Sequence, residues 1–222
     1  MLIKMKEYIT LIQNPREFFK SVAKEKISRT LKKTVPVILI LYIMQTLLIY
    51  FEQKEIYEKL QSAVQSTLLR EHFVGFYLNH ILIFNLLIGI IVLPLSIILS
   101  AYLLYLSLKF LKTGSSFSQN IKILIYTTVP LYFFSVIGYT IRFLIKIILL
   151  KTILFVIIVG GSFILSIFLI VKGLSEIYKI STGKAVGAYF LQFGLILGTM
   201  LALIIIVIIL VLIIALLFKG FK

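Results

Sequence analysis

Five stretches of this chain contain no Asp, Glu, Lys or Arg: Thr34–Phe51, Phe73–Leu108, Ile123–Ile141, Thr152–Val171 and Ala185–Phe218. Each is at or near the roughly 20 residues needed to cross roughly 30 Å of hydrocarbon. A soluble domain of 222 residues that is 61% hydrophobic could not cover such runs with polar surface. The chain therefore reads as a membrane protein. Lipid offers backbone groups no partners, and the runs lack the alternation of a barrel strand, so each span should be an α-helix. The expected fold is all-α and polytopic, with five transmembrane helices over 34–222 and amphipathic cytoplasmic helices over 1–33.

Two runs are too long for one perpendicular helix, since about 35 residues at a rise of about 1.5 Å extend roughly 50 Å. For the second run, Phe73 to about Ile83, with Tyr77, Asn79 and His80, is expected at the interface, and the true span should end near Leu108. A hinge at Pro94 separating two spans is disfavoured because no polar loop residues surround it. Lys4, Lys6 and Glu7 interrupt any apolar core at the start, so the first residues do not read as a cleaved signal. Abundant Ile and Lys with no Cys would suit a thermophile, although a biased genome gives the same pattern.

Charge sets the orientation. Fifteen of the 23 Lys and Arg fall in residues 1–34, 109–122 and 172–184, and eight on the other side, which places the N-terminus in the cytoplasm and the C-terminus outside. The expected location is the cell membrane. A net charge of +15 could point to nucleic acid, but the basic residues are divided among short loops with no stacking module beside them. The N-terminal block reads instead as a surface helix pair attracted to anionic headgroups. Leu2, Met5, Ile9 and Ile12 recur at helical spacing. Asn14 and Pro15 form a cap and first-turn pair, Glu17 completes a capping-box pattern, and Phe18, Phe19 and Val22 give the second helix its apolar side.

Between the second and third runs lies "KTGSSFSQN", residues 112–120. Gly114 can end one helix in a left-handed conformation, and Ser116 with Gln119 is a capping-box pattern for the next. Pro130 then falls inside the third run and should kink it over Tyr126–Pro130, with Thr127 and Thr128 near enough to partner the freed backbone groups.

Gly114, Ser115, Phe117, Gln119, Tyr126 and Pro130 resemble the signature of the Yip (Ypt-interacting protein) domain family. "GLSEIYKISTGKA", including Gly173, Lys184 and Ala185, is similar to that family's segment entering the last span, and "NPREFF", beginning at Asn14 and Pro15, to the approach to the domain. The resemblance implies a five-helix bundle with a cytoplasmic N-terminus. Eukaryotic members act in vesicle trafficking and contact Rab-type GTPases, with a characteristic Asp-Leu-Tyr-Gly-Pro motif facing the cytoplasm. This chain has no Asp, so GTPase binding is not carried over to it.

Little in the sequence could do chemistry. The lack of Asp removes aspartyl proteolysis and aspartate-rich magnesium sites, and the lack of Cys removes thiol chemistry. His72 and His80, with Glu71, lack the spacing that sets two imidazoles on one helical turn. Ser162 after Gly160 and Gly161 has no base at comparable depth, and close helix packing explains the glycines better. Gln45, Asn85 and Gln192 are the strongly polar side chains within runs and read as interhelical hydrogen-bond formers. Arg142 and Lys146 read as snorkelling at the outer end of the third span. No catalytic residue, metal ligand or cofactor is expected.

In the fifth run Gly183, Gly187, Gly194 and Gly198 form a narrow stripe with Ala202 at its edge. Such small residues let another backbone approach closely, so Gly187–Gly198 is expected to pack against a helix of the same chain. The first functional expectation is a non-enzymatic membrane-organising scaffold, whose partners are the bilayer and either other membrane proteins or a second copy. The alternative is a transporter-like or lipid-handling permease subunit using kinks at Pro94 and Pro130.

Overall fold

The computed structural model describes the backbone of residues 2–63 and 75–219, with side chains described from Glu7 to Lys54 and, with gaps, from His80 to Ile209. The expectations resting on Glu71 and His72, and on the side chains of Leu2, Met5, Tyr77, Asn79 and Ala202, lie outside these described residues. The described residues form seven helices and no strand: α1 (Leu2–Gln13), α2 (Pro15–Lys24), α3 (Ile27–Ala63), α4 (Gly75–Phe110), α5 (Phe117–Leu144), α6 (Ile148–Tyr178) and α7 (Thr182–Lys219). Four described segments are long and apolar enough to cross a bilayer: Ile27–Lys54, Leu82–Phe110, Phe117–Leu144 and Ile148–Tyr178.

Helix α5 is the centre of the bundle, packing on α3, α4 and α6. In its most apolar stretch 61% of residues are buried, against 6% in α4 and 22% in α6. This explains where the polar residues went. Asn120, Lys122, Thr127 and Ser135 are buried on α5, whereas Ile90, Ile91, Leu95 and Leu99 on α4 and Ile157 and Ile164 on α6 are exposed. Lipid is as apolar as leucine, so a membrane bundle gains little by hiding aliphatic side chains and uses its interior for small and hydrogen-bonding ones.

The seam between α5 and α6 follows that rule. Ser162, Ser166 and Gly173 lie on the buried face of α6. Ser166 Oγ donates to Thr127 O at 3.4 Å, beside the turn that Pro130 disturbs. Thr127 and Thr128 hydroxyls both donate to Leu124 O, so neither takes up the Tyr126 carbonyl that proline leaves without its usual donor. Pro36, Pro94 and Pro130 all lie inside uninterrupted helices.

The termini differ from the expected caps. Asn14 Oδ1 does accept from Glu17 N at 3.4 Å with Pro15 in the first turn, but Asn14 N is already used by Thr10 O, so the box is half made. Ser116 caps α5 by position alone, without a side-chain bond. Gly114 does not supply the left-handed residue after α4. Lys112 does, at φ 53°, with its N–H on Lys109 O and Thr113 N–H on Leu108 O, a Schellman closure in which the chain turns before it reaches the glycine. Lys179 ends α6 in the same left-handed conformation.

Within the chain, the expected close approach at Gly194 and Gly198 is not made. Gly194 and Gly198 are exposed, and a Cβ on either would meet nothing within 4 Å; at Gly187 it would meet Leu111 Cδ1, at 3.9 Å. The buried face of α7 is instead Ala185, Ala188, Tyr189 and Gln192, because a large aromatic with small neighbours fills the contact with α4 and α6 better than a groove of glycines. Gly160 and Gly161 are likewise exposed and open. The close approaches occur at Gly89, Gly138 and Gly173. Tyr42 lies flat against Gly89 and donates to Asn85 O at 2.6 Å, which a side chain at position 89 would block.

Candidate functional site

The apolar side of α2 packs into the bundle, and α1 joins the same core through Leu11. Leu11, Phe18, Phe19 and Val22 are buried in the same hydrophobic core as Leu104, Ile123, Tyr126, Leu169 and Leu174 of the long helices. Phe19 lies 3.0 Å from where a Cβ on Gly173 would be, so glycine there gives the ring its seat on α6. The 33/34 boundary falls inside α3 with no break in the helix. Ile9 and Ile12 keep exposed apolar surface on α1.

Apolar contact alone does not fix the angle of a ten-residue helix, and a polar clamp completes the docking. The last carbonyls of α2 carry the negative end of its dipole, and of those at its end only Val22 O takes a backbone donor, the N–H of Glu25. Lys122 Nζ reaches them from α5, at 2.9 Å from Val22 O, 3.3 Å from Ala23 O and 2.9 Å from Glu25 O. Gln119 Nε2, one turn earlier, donates to Ala23 O at 3.0 Å. Lys122 is only 2% exposed. Counted from sequence as a loop charge, it is an ammonium whose three donors are all used by one helix end.

On the other side of the α2–α3 turn, Glu25 is the hub. Its carboxylate accepts Tyr126 Oη at 2.8 Å and Thr30 Oγ1 at 3.2 Å, and pairs with Lys33 at 3.2 Å and Arg29 at 3.5 Å. Lys33 also reaches Glu7 of α1 at 3.0 Å. Burial pushes the Glu25 carboxyl up, but the hydrogen bonds from Tyr126 and Lys33, the charge of Lys33 and the Thr30 hydroxyl outweigh it and hold the group below the ordinary carboxylate range. The Tyr126 ring is set edge-on to Phe18 with centroids 4.9 Å apart, so the same residue anchors both the apolar and the polar contacts.

A second knot closes the α4–α5 and α6–α7 turns. Tyr178 Oη lies 2.7 Å from Asn120 Oδ1 and 2.8 Å from Ser116 O, and accepts Ser116 N–H at 3.1 Å. Asn120 Nδ2 donates to Ala101 O of α4 at 3.2 Å. Three helices, α4, α5 and α6, are thereby tied at one end of the bundle.

The signature positions divide accordingly. Asn14, Pro15 and Gln119 shape and hold α2; Tyr126, Pro130, Gly173 and Ala185 are buried; Gly114, Phe117 and Lys184 are exposed and Ser115 half-buried. Glu25, Asn120, Lys122 and Tyr178 were not singled out from sequence. Gln119, Lys122 and Tyr126 at spacings of three and four were the available signal, since they share one face of α5.

In this arrangement the Glu25 carboxylate is surrounded by donors and the Lys122 ammonium by carbonyls. Among the described residues no group of three His, Cys, Asp or Glu could hold a metal. Ser162 Oγ bonds back to Val159 O of its own helix. Among the described residues Gln45 Oε1 and Gln192 Oε1 are buried without a hydrogen-bond partner. Arg142 does not simply snorkel: it pairs with Glu52 of α3 and stands 5.0 Å from the Phe155 ring centre.

A family model described as Yip1 domain matches residues 9–204. No curated protein and no solved structure matches the chain. The match takes in the clamp and the four long apolar segments together, and with it the chain belongs to the Yip1 domain family of membrane proteins.

Proposed function

We propose that this protein is a non-enzymatic membrane scaffold whose working surface is a rigid basic headpiece, built by α1 and α2 on the cytoplasmic face of a five-helix bundle. The observation that carries this reading is the clamp. Lys122, Gln119 and Tyr126 fasten α2 and the α2–α3 turn to the central helix, while Arg16, Lys20, Lys24, Arg29 and Lys32 are left exposed. A tail meant only to be solvated would not need its helix end clamped to the central helix. A docked helix presents its charges in fixed positions, which lowers the ordering cost of binding an acidic partner.

The fifth span is α7, whose 38 residues would extend about 57 Å and which packs on α4 and α6. The excess of Lys and Arg on the side of α1 and α2 supports a cytoplasmic N-terminus and an outer end for α7 in the cell membrane. Ile9 and Ile12 on α1 would touch the headgroup region. Partners are the bilayer and other membrane proteins or a second copy of the chain. Transport gains no support: Pro94 and Pro130 lie inside continuous helices, and the buried polar groups of α5 near its start are engaged in the clamp.

Crosslinking and co-purification from native membranes test the scaffold reading. Proteins recovered with the wild-type chain should be lost with a Lys20→Ala/Lys24→Ala variant that keeps wild-type abundance. Recovery unaffected by the substitutions would remove the headpiece as the working surface.

A further inference from the structure

A dry groove opens on the outside of the bundle where α3, α4 and α5 meet. It has a volume of about 210 Å³ and is lined entirely by apolar side chains, among them Leu31, Val35 and Leu39 of α3, Pro94 and Ile98 of α4 and Ile125 of α5. It lies within three of the segments able to span a bilayer. An enclosed apolar cavity of about 150 Å³ stays free of water and takes up a hydrocarbon such as benzene. This larger one faces lipid and will hold chain methylenes.

What raises it above ordinary lipid contact is its mouth. At about 100° per residue, Ser28 and Lys32 continue the face of α3 that carries Val35 and Leu39, and Lys32 lies about 10 Å along the axis from Leu39. Ser28 and Lys32 stand at the N-terminal end of that face, where they also border a second, open hollow that turns away from the groove toward Lys26 and Arg29. Arg29 is partly used by Glu25, whereas Lys26 and Lys32 are exposed and have no ion pair within the described residues. An apolar slot at hydrocarbon depth with a hydroxyl and an ammonium group, Ser28 and Lys32, at one end of its edge matches one amphiphile, a phospholipid with a net negative headgroup.

We infer that the α3–α4–α5 groove is a specific site for one anionic phospholipid, with an acyl chain between Val35, Leu39 and Ile98 and the phosphate at Ser28 and Lys32. The inference rests on membrane embedding and not on the scaffold reading, so the two can fail separately. Proline suits this wall. Pro94 presents its apolar ring to the slot and removes a donor from α4 without interrupting the helix.

The test uses the full chain, purified and delipidated in mild detergent, titrated with phosphatidylglycerol or phosphatidylcholine and read by native mass spectrometry. One phosphatidylglycerol should bind in preference to phosphatidylcholine. Lys32→Glu should weaken it roughly tenfold by reversing the headgroup attraction. Ile98→Trp and Val35→Trp, at exposed positions on the two walls, should each weaken it by blocking the slot while leaving lipid-free melting unchanged. Excess inorganic phosphate should not compete, because the chain supplies most of the affinity. Equal binding of both lipids, indifference to Lys32→Glu, or full binding in both tryptophan variants would each show ordinary annular lipid and overturn the site. Displacement by inorganic phosphate would reduce it to an anion site without a chain slot.

Discussion

Tyr126→Phe isolates the polar half of the clamp. The substitution keeps the ring that packs edge-on against Phe18 and removes only the hydroxyl donating to Glu25 at 2.8 Å. Hydrogen bonds to charged groups contribute about 1.5–3 kcal/mol. The Glu25 carboxylate keeps other donors, Thr30 and Lys33, so the lower part of that range applies, about 1.5–2 kcal/mol. For a chain of this size that corresponds to about 3–8 °C in Tm. Melting followed by circular dichroism in mild detergent measures it. The pH dependence identifies the source. Glu25 has a folded value depressed below the ordinary value of about 4.3, so its stabilising contribution is fully present above that value and is lost as pH falls through the depressed one. The gap between wild type and Tyr126→Phe should therefore be full at neutral pH and close at acid pH. A gap that is absent at neutral pH, or that persists unchanged after Glu25 is protonated, would refute the assignment of Glu25 as hub.

Gly173→Val should push Phe19 out of its seat, where even a Cβ would come within 3.0 Å of the ring, and cost about 1–3 kcal/mol. Faster hydrogen exchange across Pro15–Lys24 would report the loosened α2, and unchanged exchange would show that the ring gives way freely. Gly194→Leu and Gly198→Leu, by contrast, should leave monomer melting at the wild-type value, since nothing lies near either position. Single cysteines at Ser116 and Ser62 in this cysteine-free chain test topology. An impermeant maleimide applied to intact cells should label Ser62→Cys and spare Ser116→Cys, and labelling of Ser116→Cys would invert the proposed orientation. Lys122→Met should loosen α2, read as increased protease cleavage within residues 14–26, because the one ammonium bridging three carbonyls at its end is lost.

Membrane embedding and the all-helical fold were legible in the sequence because both follow from local rules. Uncharged length sets a span, and lipid forces its backbone to bond internally. The family signature was legible too, and Asn14 with Pro15 opened α2 as their types dictate. What only the tertiary structure decided was which face of each helix meets protein. In water the apolar face is the buried one, so periodicity reveals it; in lipid both faces can be apolar, and that signal disappears. The glycine stripe of α7 therefore pointed to a contact that α7 makes through Ala185, Ala188 and Tyr189 instead. Lys122 was invisible for a related reason. A lysine near a span end ordinarily snorkels to water, and it turns inward here because the end of α2, a hundred residues earlier in the chain, brings three carbonyls to it. Glu25 became a hub in the same way, through Tyr126 on a distant helix. Pairings across such separations depend on how helices pack, and no local spacing encodes them.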